Sequence, residues 1–452
     1  MILRRPSSPL AAGQNPTPVR WERNGRIPPT VGRVLAALRL NEPGPLGFVE
    51  QREADSLLAF CDRNQITGLL SRFPELPPWL REAVARRLEA NGKRRARIEA
   101  EVFEVCEVLD RDSVPYLMLK GLTQRPASVP DSRFRVQYDL DLYCPEVCVA
   151  GAWEALRRTG YAPLGARTRG PTDHLVPLIR KTAWQWRGDY FDPDIPLTVE
   201  LHFRFWDEAT EGLPAPGTED FWERRTRMPI SGRSIAVLHA ADALAYSALH
   251  LLRHLLRGSL RVCHVWEMAY QLDSDADDHM FWQEWARLHP RELRQLEAIS
   301  FLLARAWFAC RLAPELEEEI RRLPPAVQHW FERYSASPVE NLFHPNKDEL
   351  ALHVALLEGR AGRRRVVLGR LLPRRLPAGP ATAHMPETAL TAAVRWRARL
   401  DYAREVSRRA WHHMRTFPRA VWCVLQALRA ARQAGWGQPA ASRRRRAQRN
   451  AP

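Results

Sequence analysis

Three carboxylates, a lysine and an arginine are the residues of this chain best suited to chemistry. Residues 136–144 read VQYDLDLYC, with Asp139 and Asp141 set among β-forming and apolar residues. Side chains alternate across a strand, so the two aspartates share one face, about 7 Å apart, while Leu140 and Leu142 enter the core. Two carboxylates on one face repel, and without a partner one is driven towards its neutral form. A divalent cation removes that conflict. Magnesium prefers hard oxygen ligands and takes one or two carboxylates together with substrate phosphates. A second stretch, TVELHF, puts Glu200 and His202 on its polar face, with Val199, Leu201 and Phe203 opposite. With the two strands as neighbours, Glu200 completes a site for two Mg²⁺ ions. Such a pair clamps the attacking and leaving oxygens in phosphoryl or nucleotidyl transfer. Upstream, VPYLMLKG is a short apolar run closed by Lys120 and Gly121. The lysine would neutralise phosphate charge. The glycine lets backbone approach a phosphate closely, and a helix starting beyond it would offer N–H groups to an anion. Arg135, four residues before Asp139, adds a planar guanidinium for the same purpose.

These residues need a sheet, and the texture of the chain supplies one between helical regions. Residues 1–28 are rich in Pro, Arg, Ser and Asn and read as a flexible leader. Residues 29–112 show helical spacing, including AVARRLEANGKRRARIEAEVFEVCEVLD, whose KRRAR cluster (93–97) reads as a solvated face. From 113 to 235 short strands dominate. VCVAGAWEALRRTGY is a helix stopped by Gly160, LVPLIRK and QWRGDYF suggest a hairpin, and PLTVELHFRFW alternates as a strand. Residues 236–372 return to helix. Pro, Gly and Ala near 373–386 read as a linker within a 373–440 segment that ends in two amphipathic helices, and 441–452 as a basic disordered tail. The fold class expected is therefore α+β, a small mixed sheet flanked by N-terminal and C-terminal helical regions.

Composition narrows the partners. Lys and Arg number 68 against 52 Asp and Glu, a formal charge of +16, which favours anionic partners such as nucleotide phosphates or nucleic acid. A compositional bias of the genome towards arginine, alanine and proline accounts for that excess equally well. Seven scattered cysteines do not form a secreted disulfide framework, and Cys144 and Cys148, the only close pair, read as packing residues. No apolar stretch reaches the roughly 18 residues needed to span a membrane, and the N-terminus has no long apolar segment of signal-peptide type. The chain reads as cytoplasmic.

Other candidates have simpler readings. His250 and His254 lie i, i+4 on one helix, but HLLRH lacks the glutamate of a zinc-protease motif, so they read as core or rim histidines. Trp184 and Trp186 read as half-buried sheet residues.

LMLKG, then Arg-x-x-x-Asp-Leu-Asp-Leu-Tyr, then WEALRRTGY, then VELHFRF, in that order, resembles the uncharacterised nucleotidyltransferase family of the polymerase-β-like superfamily. The resemblance covers about 114–270, including HLLRHLLRGSLRVCHV. It implies that Asp139 and Asp141 are paired metal ligands, and that Glu200 is the third carboxylate, which also activates the incoming hydroxyl. It places Lys120 and Gly121 where the wider superfamily has a Gly-Ser turn that holds the triphosphate. Trp266 and Glu267 stand where relatives tend to have an aspartate. The expected activity is Mg²⁺-dependent transfer of a nucleoside monophosphate from an NTP to an unidentified hydroxyl on protein, nucleic acid or a small molecule. The alternatives are a catalytically degenerate scaffold of this fold, or a basic nucleic-acid-binding protein whose tail meets an anionic partner.

Overall fold

A run of apolar residues at helical spacing, begun by Pro78 at the first turn and free of internal proline, makes one 34-residue helix, Pro78–Arg111. Its inward stripe splits by neighbour. Leu80, Val84 and Leu88 join the larger, mainly helical core. Ile98, Val102, Val105 and Leu109 join the core beneath the sheet. The helix therefore ties the two bodies together. In this computed structural model the described residues are 18–21, 25–47, 49–124, 129–165, 173–372, 385–386 and 389–433. Most of the expected leader, the 373–384 part of the linker and the basic tail lie outside them.

In chain order the helices are α1 (Pro29–Ala37), α2 (Ala54–Arg63), α3 (Pro78–Arg111), α4 (Val149–Arg158), α5 (Glu208–Glu211), α6 (Ala240–Arg257), α7 (Val262–Ser274), α8 (His279–Leu288), α9 (Arg291–Phe308), α10 (Pro314–Arg321), α11 (Pro325–Tyr334), α12 (Ser337–Glu340), α13 (Glu349–Leu356), α14 (Arg360–Leu371) and α15 (Ala392–Gln433). The strands are β1 (Leu117–Met118), β2 (Asp139–Tyr143), β3 (Tyr161–Pro163), β4 (Leu178–Arg180), β5 (Thr198–His202), β6 (Thr226–Ile230) and β7 (Arg233–Val237). They form one mixed sheet in the order β3-β4-β5-β2-β1-β7-β6. The fold is α+β.

The centre of the sheet positions the site. β2 and β5 run parallel in a register that sets Asp139 against Thr198, Asp141 against Glu200 and Tyr143 against His202. Leu140, Leu142, Val199 and Leu201 go to the opposite face, all at most 1% exposed, against α4 and α3. At about 1.5–3 kcal/mol for each buried aliphatic side chain, this face fixes which way the acids point.

Several sequence expectations need correction. QWRGDYF is not a strand. β4 instead pairs antiparallel with β3 and β5, so the expected hairpin is absent. Trp184 and Trp186 therefore lie in a connection. Trp184 Nε1 donates to Asp192 Oδ2 at 2.8 Å, and Trp186 is exposed. The two expected C-terminal helices are one, α15, which runs through Pro418. Loss of one N–H bond at the proline is outweighed by the packing of the helix on α13.

Candidate functional site

Asp141 sits at the bottom of the site and Asp139 at its rim, with side chains 2% and 37% exposed. Lys120, just beyond β1, reaches both: its Nζ lies 3.1 Å from Asp141 Oδ2 and 3.5 Å from Asp139 Oδ2. Burial works against the ammonium, but the two aspartates outweigh it and hold its pKa above the ordinary lysine value. Glu200 enters from β5 as the register dictates.

His202, one alternation beyond Glu200, is the residue that sequence reasoning placed on the right face and gave no role. Its ring is buried. Nε2 donates to Asp141 Oδ1 at 3.1 Å and lies 3.7 Å from Glu200 Oε2, while Nδ1 faces Asp173 Oδ2 at 3.4 Å. Burial alone would make it neutral, but Tyr246 and the carboxylates Asp141, Asp173 and Glu200 raise its pKa well above the ordinary histidine value. Burial likewise pushes the Glu200 carboxyl up, and the His202 imidazolium more than offsets this, so the carboxyl sits below its ordinary value. Asp173 is clamped in turn by Arg253 Nη1 at 2.6 Å. Neither Asp173 nor Arg253 carried a sequence signal, because neither lies on the two strands.

The KRRAR cluster is not a uniformly solvated face. Arg94 is fully buried, donating from Nε to Gln137 O at 3.0 Å and from Nη1 to Asp192 O at 3.2 Å, with its guanidinium 4.4 Å from the Tyr138 ring. Asn91, one helical turn earlier, donates to Arg133 O and Arg135 O. Together they hold the extended backbone that leads into Asp139. In a run of basic residues, a buried arginine that binds carbonyls looks the same as a solvated one.

Gly121 is required by geometry. Its φ is +82°, and a Cβ there would lie 2.5 Å from Gln137 Nε2. The glycine opens a single 3₁₀ turn, Gly121–Thr123, rather than the helix whose N-terminus was expected to face an anion. Arg135 is engaged: its Nε pairs with Glu267 at 3.4 Å, both side chains less than a fifth exposed. Burial raises the Glu267 carboxyl pKa against the pull of Arg135.

Lys120, Gly121, Arg135, Asp139 and Arg261 line one cavity of about 320 Å³, a size typical of small-molecule sites. Its far wall is a trio of histidines: His250 and His254 on α6 and His264 on α7. An ammonium can only donate, so His250 Nε2, 3.3 Å from Lys120 Nζ, accepts. His254 Nε2 lies 3.2 Å from the same atom, whose single lone pair Lys120 already engages, and Ser259 Oγ lies 3.0 Å from His254 Nδ1. Burial and the neighbouring Lys120 depress all three pKa values, that of His254 to about 4. His250 and His254, expected as core or rim histidines, line this cavity, and His264 joins them there.

Two groups could hold a metal ion among the described residues: Asp141, Glu200 and His202, and the histidine trio, each with ligand atoms within 4.8 Å of one another. The first suits a hard divalent cation. It offers carboxylate oxygens, Asp139 lies next to it, and the buried Asp141 Oδ2 faces only the Lys120 ammonium at 3.1 Å. The Lys120 ammonium supplies the positive charge there. The second group leaves the buried His264 Nδ1 without a hydrogen-bond partner, but it stands beside Lys120 and Arg261, surroundings that favour an anion over a cation.

A family model described as uncharacterised nucleotidyltransferase matches residues 50–309. No curated protein and no solved structure matches the chain.

Proposed function

We propose, from the premise that this chain belongs to the uncharacterised nucleotidyltransferase family, that it moves a nucleoside monophosphate from an NTP to a hydroxyl with a divalent cation, Mg²⁺, as cofactor. One observation carries the reading: the parallel register that sets Glu200 beside Asp141, with Asp139 on the same face and at the rim of a cationic cavity. Asp139, Asp141 and Glu200 would hold the cation, whose chemistry when bound is to polarise the α-phosphate and lower the pKa of the acceptor hydroxyl. Lys120 and Arg261 face the cavity and offset phosphate charge. Arg135 joins them by exchanging Glu267 for phosphate, and Gly121 keeps the floor free of a side chain. Glu200, held ionised beside His202, is placed to accept the proton of the attacking hydroxyl. His202 keeps Asp141 aimed.

Purified protein incubated with α-labelled NTPs and Mg²⁺ tests this. Transfer of label by wild type and its loss in Asp139→Asn/Asp141→Asn is the expected outcome. Equal labelling in both discards an enzyme that uses this site.

One observation favours a second reading, a degenerate scaffold that retains the fold. Lys120 already pairs with both aspartates and offsets one of their two charges. Calorimetry separates the two: a transferase binds Mg·NTP, and a scaffold shows no heat.

A further inference from the structure

The 42-residue helix α15 is apolar on two opposite faces. Its inner face packs on the body through Ala398, Thr416, Ala420, Cys423 and Val424. Its outer face carries Trp396, Leu400, Trp411, Met414, Trp422 and Leu425, between 41% and 63% exposed. At about 100° per residue these six fall within roughly 80° of the circumference, centred half a turn from the buried set. Pro418 falls on the same stripe. Leu368 and Leu372, on and just after α14, are exposed as well. Large apolar surface of this extent on water marks an interaction face.

Charge says what covers it. Between 395 and 429 there are nine arginines and two acids, Asp401 and Glu405. Among the described residues only Arg404, Arg408, Arg409 and Arg419 have a carboxylate partner. Arg397, Arg404 and Arg415 border the stripe. A second copy of this chain would bring like charge against like charge. A nucleic acid would satisfy the arginines and stack on the tryptophans, but it gains nothing from Leu400, Met414 and Leu425. A helix of 42 residues, about 63 Å along its path, is also long for a cleft and suits a plane. No helix among the described residues is long and apolar enough to cross a membrane.

We propose that the outer face of α15 binds the surface of an anionic lipid bilayer. The helix lies in the plane of the interface, with its tryptophans at headgroup depth, its aliphatic side chains in the acyl boundary and its arginines on lipid phosphates.

Flotation of the full chain with vesicles tests this, using phosphatidylcholine alone and a 7:3 mixture with phosphatidylglycerol. The wild type is expected to float with the mixture and at least tenfold less with phosphatidylcholine alone. Trp396→Ser/Trp411→Ser/Trp422→Ser should lose at least tenfold in partition while keeping the wild-type thermal midpoint, since all three rings are exposed. Arg397→Gln/Arg404→Gln/Arg415→Gln should bind the mixture severalfold less. Absence of wild-type flotation, or equal flotation of the tryptophan variant, overturns the proposal. So does loss in that variant of self-association or of binding to a single-stranded RNA oligonucleotide when no vesicle binding is present. None of these outcomes depends on nucleotide labelling, so the transferase reading stands or falls separately.

Discussion

Lys120 touches two groups of side chains that look alike on paper and behave oppositely. On one side Asp141, Glu200 and His202 converge; on the other, His250, His254 and His264. Both groups contain histidine, both are largely shielded from water and both are small enough for one ion. The carboxylates around His202 drive its ring to the charged form against burial, whereas burial, with Lys120 and mutual repulsion added, keeps the trio neutral. Burial alone would make every one of them neutral, and the neighbouring carboxylates are what set His202 apart. The cavity thus has Asp139 at one rim, in front of the buried acidic group, and Lys120, Arg261 and the histidine trio on the other side. That polarity is what a metal-bound polyphosphate needs.

The comparison can be broken most decisively on the acidic side. Asp141→Asn removes a buried carboxylate that the proposed reading assigns to the cation, and transfer of label should fall by about a thousandfold, as for groups that stabilise charge in the transition state. The equivalent change on the other side, His254→Gln, should move KM for NTP and leave most of kcat. A kcat loss in His254→Gln as large as that in Asp141→Asn would erase the distinction.

Lys120→Met comes next. It takes one cation from a buried group of charges, at a cost of about 3 kcal/mol, the low end for such a pair because His202 still faces Asp141. Added Mg²⁺ should then raise the thermal midpoint of the variant more than that of wild type. An equal rise in both would show that the ammonium and the ion do not share the carboxylates.

Gly121→Ala should cost about 1–3 kcal/mol, from positive φ and the Gln137 contact together, measured by urea unfolding. A neutral result would mean that Gln137 moves freely.

The smallest effects are slopes of stability with pH, at most about 1.4 kcal/mol per pH unit for one proton. His289 lies buried between Asp242 and Glu297 at 3.1 and 2.9 Å. Burial opposes its charge, but the two carboxylates prevail and its pKa is raised from 6.5 to about 9. Its contribution is full below pH 6.5 and is lost as pH rises to about 9. His254, lowered to about 4, does the reverse: its contribution is full above pH 6.5 and is lost as pH falls to about 4. Denaturation curves should therefore flatten on the alkaline side in His289→Gln and on the acid side in His254→Gln. Flattening on the same side in both would contradict control of protonation by neighbouring charge.

The acidic side was legible in the sequence because strand alternation is short-range. A step of two residues, from Asp139 to Asp141 or from Glu200 to His202, suffices to put each pair on one face, and the intervening and flanking Leu and Val residues fix which face. The register of β2 on β5 had to be assumed, since nothing local states which strands neighbour each other. The other side was not legible for the same reason. His264 meets His250 and His254 only because α7 folds back beside α6, and Asp173 meets His202 only through an isolated bridge between residues 174 and 202. Arg94 was misread because its carbonyl partners lie more than 40 residues away. Proline at 418 suggested two helices, when packing of the flanking turns on α13 carries one helix through it.

The central claim is that the carboxylates, not the histidines, hold the cation that grips the triphosphate. A crystal of the protein grown with Mn²⁺ and a non-hydrolysable NTP tests it through the anomalous signal of manganese. A peak among Asp139, Asp141 and Glu200, with Lys120 turned towards the phosphates, is the predicted result. A peak among His250, His254 and His264, or nucleotide bound with no manganese at the carboxylates, would contradict it.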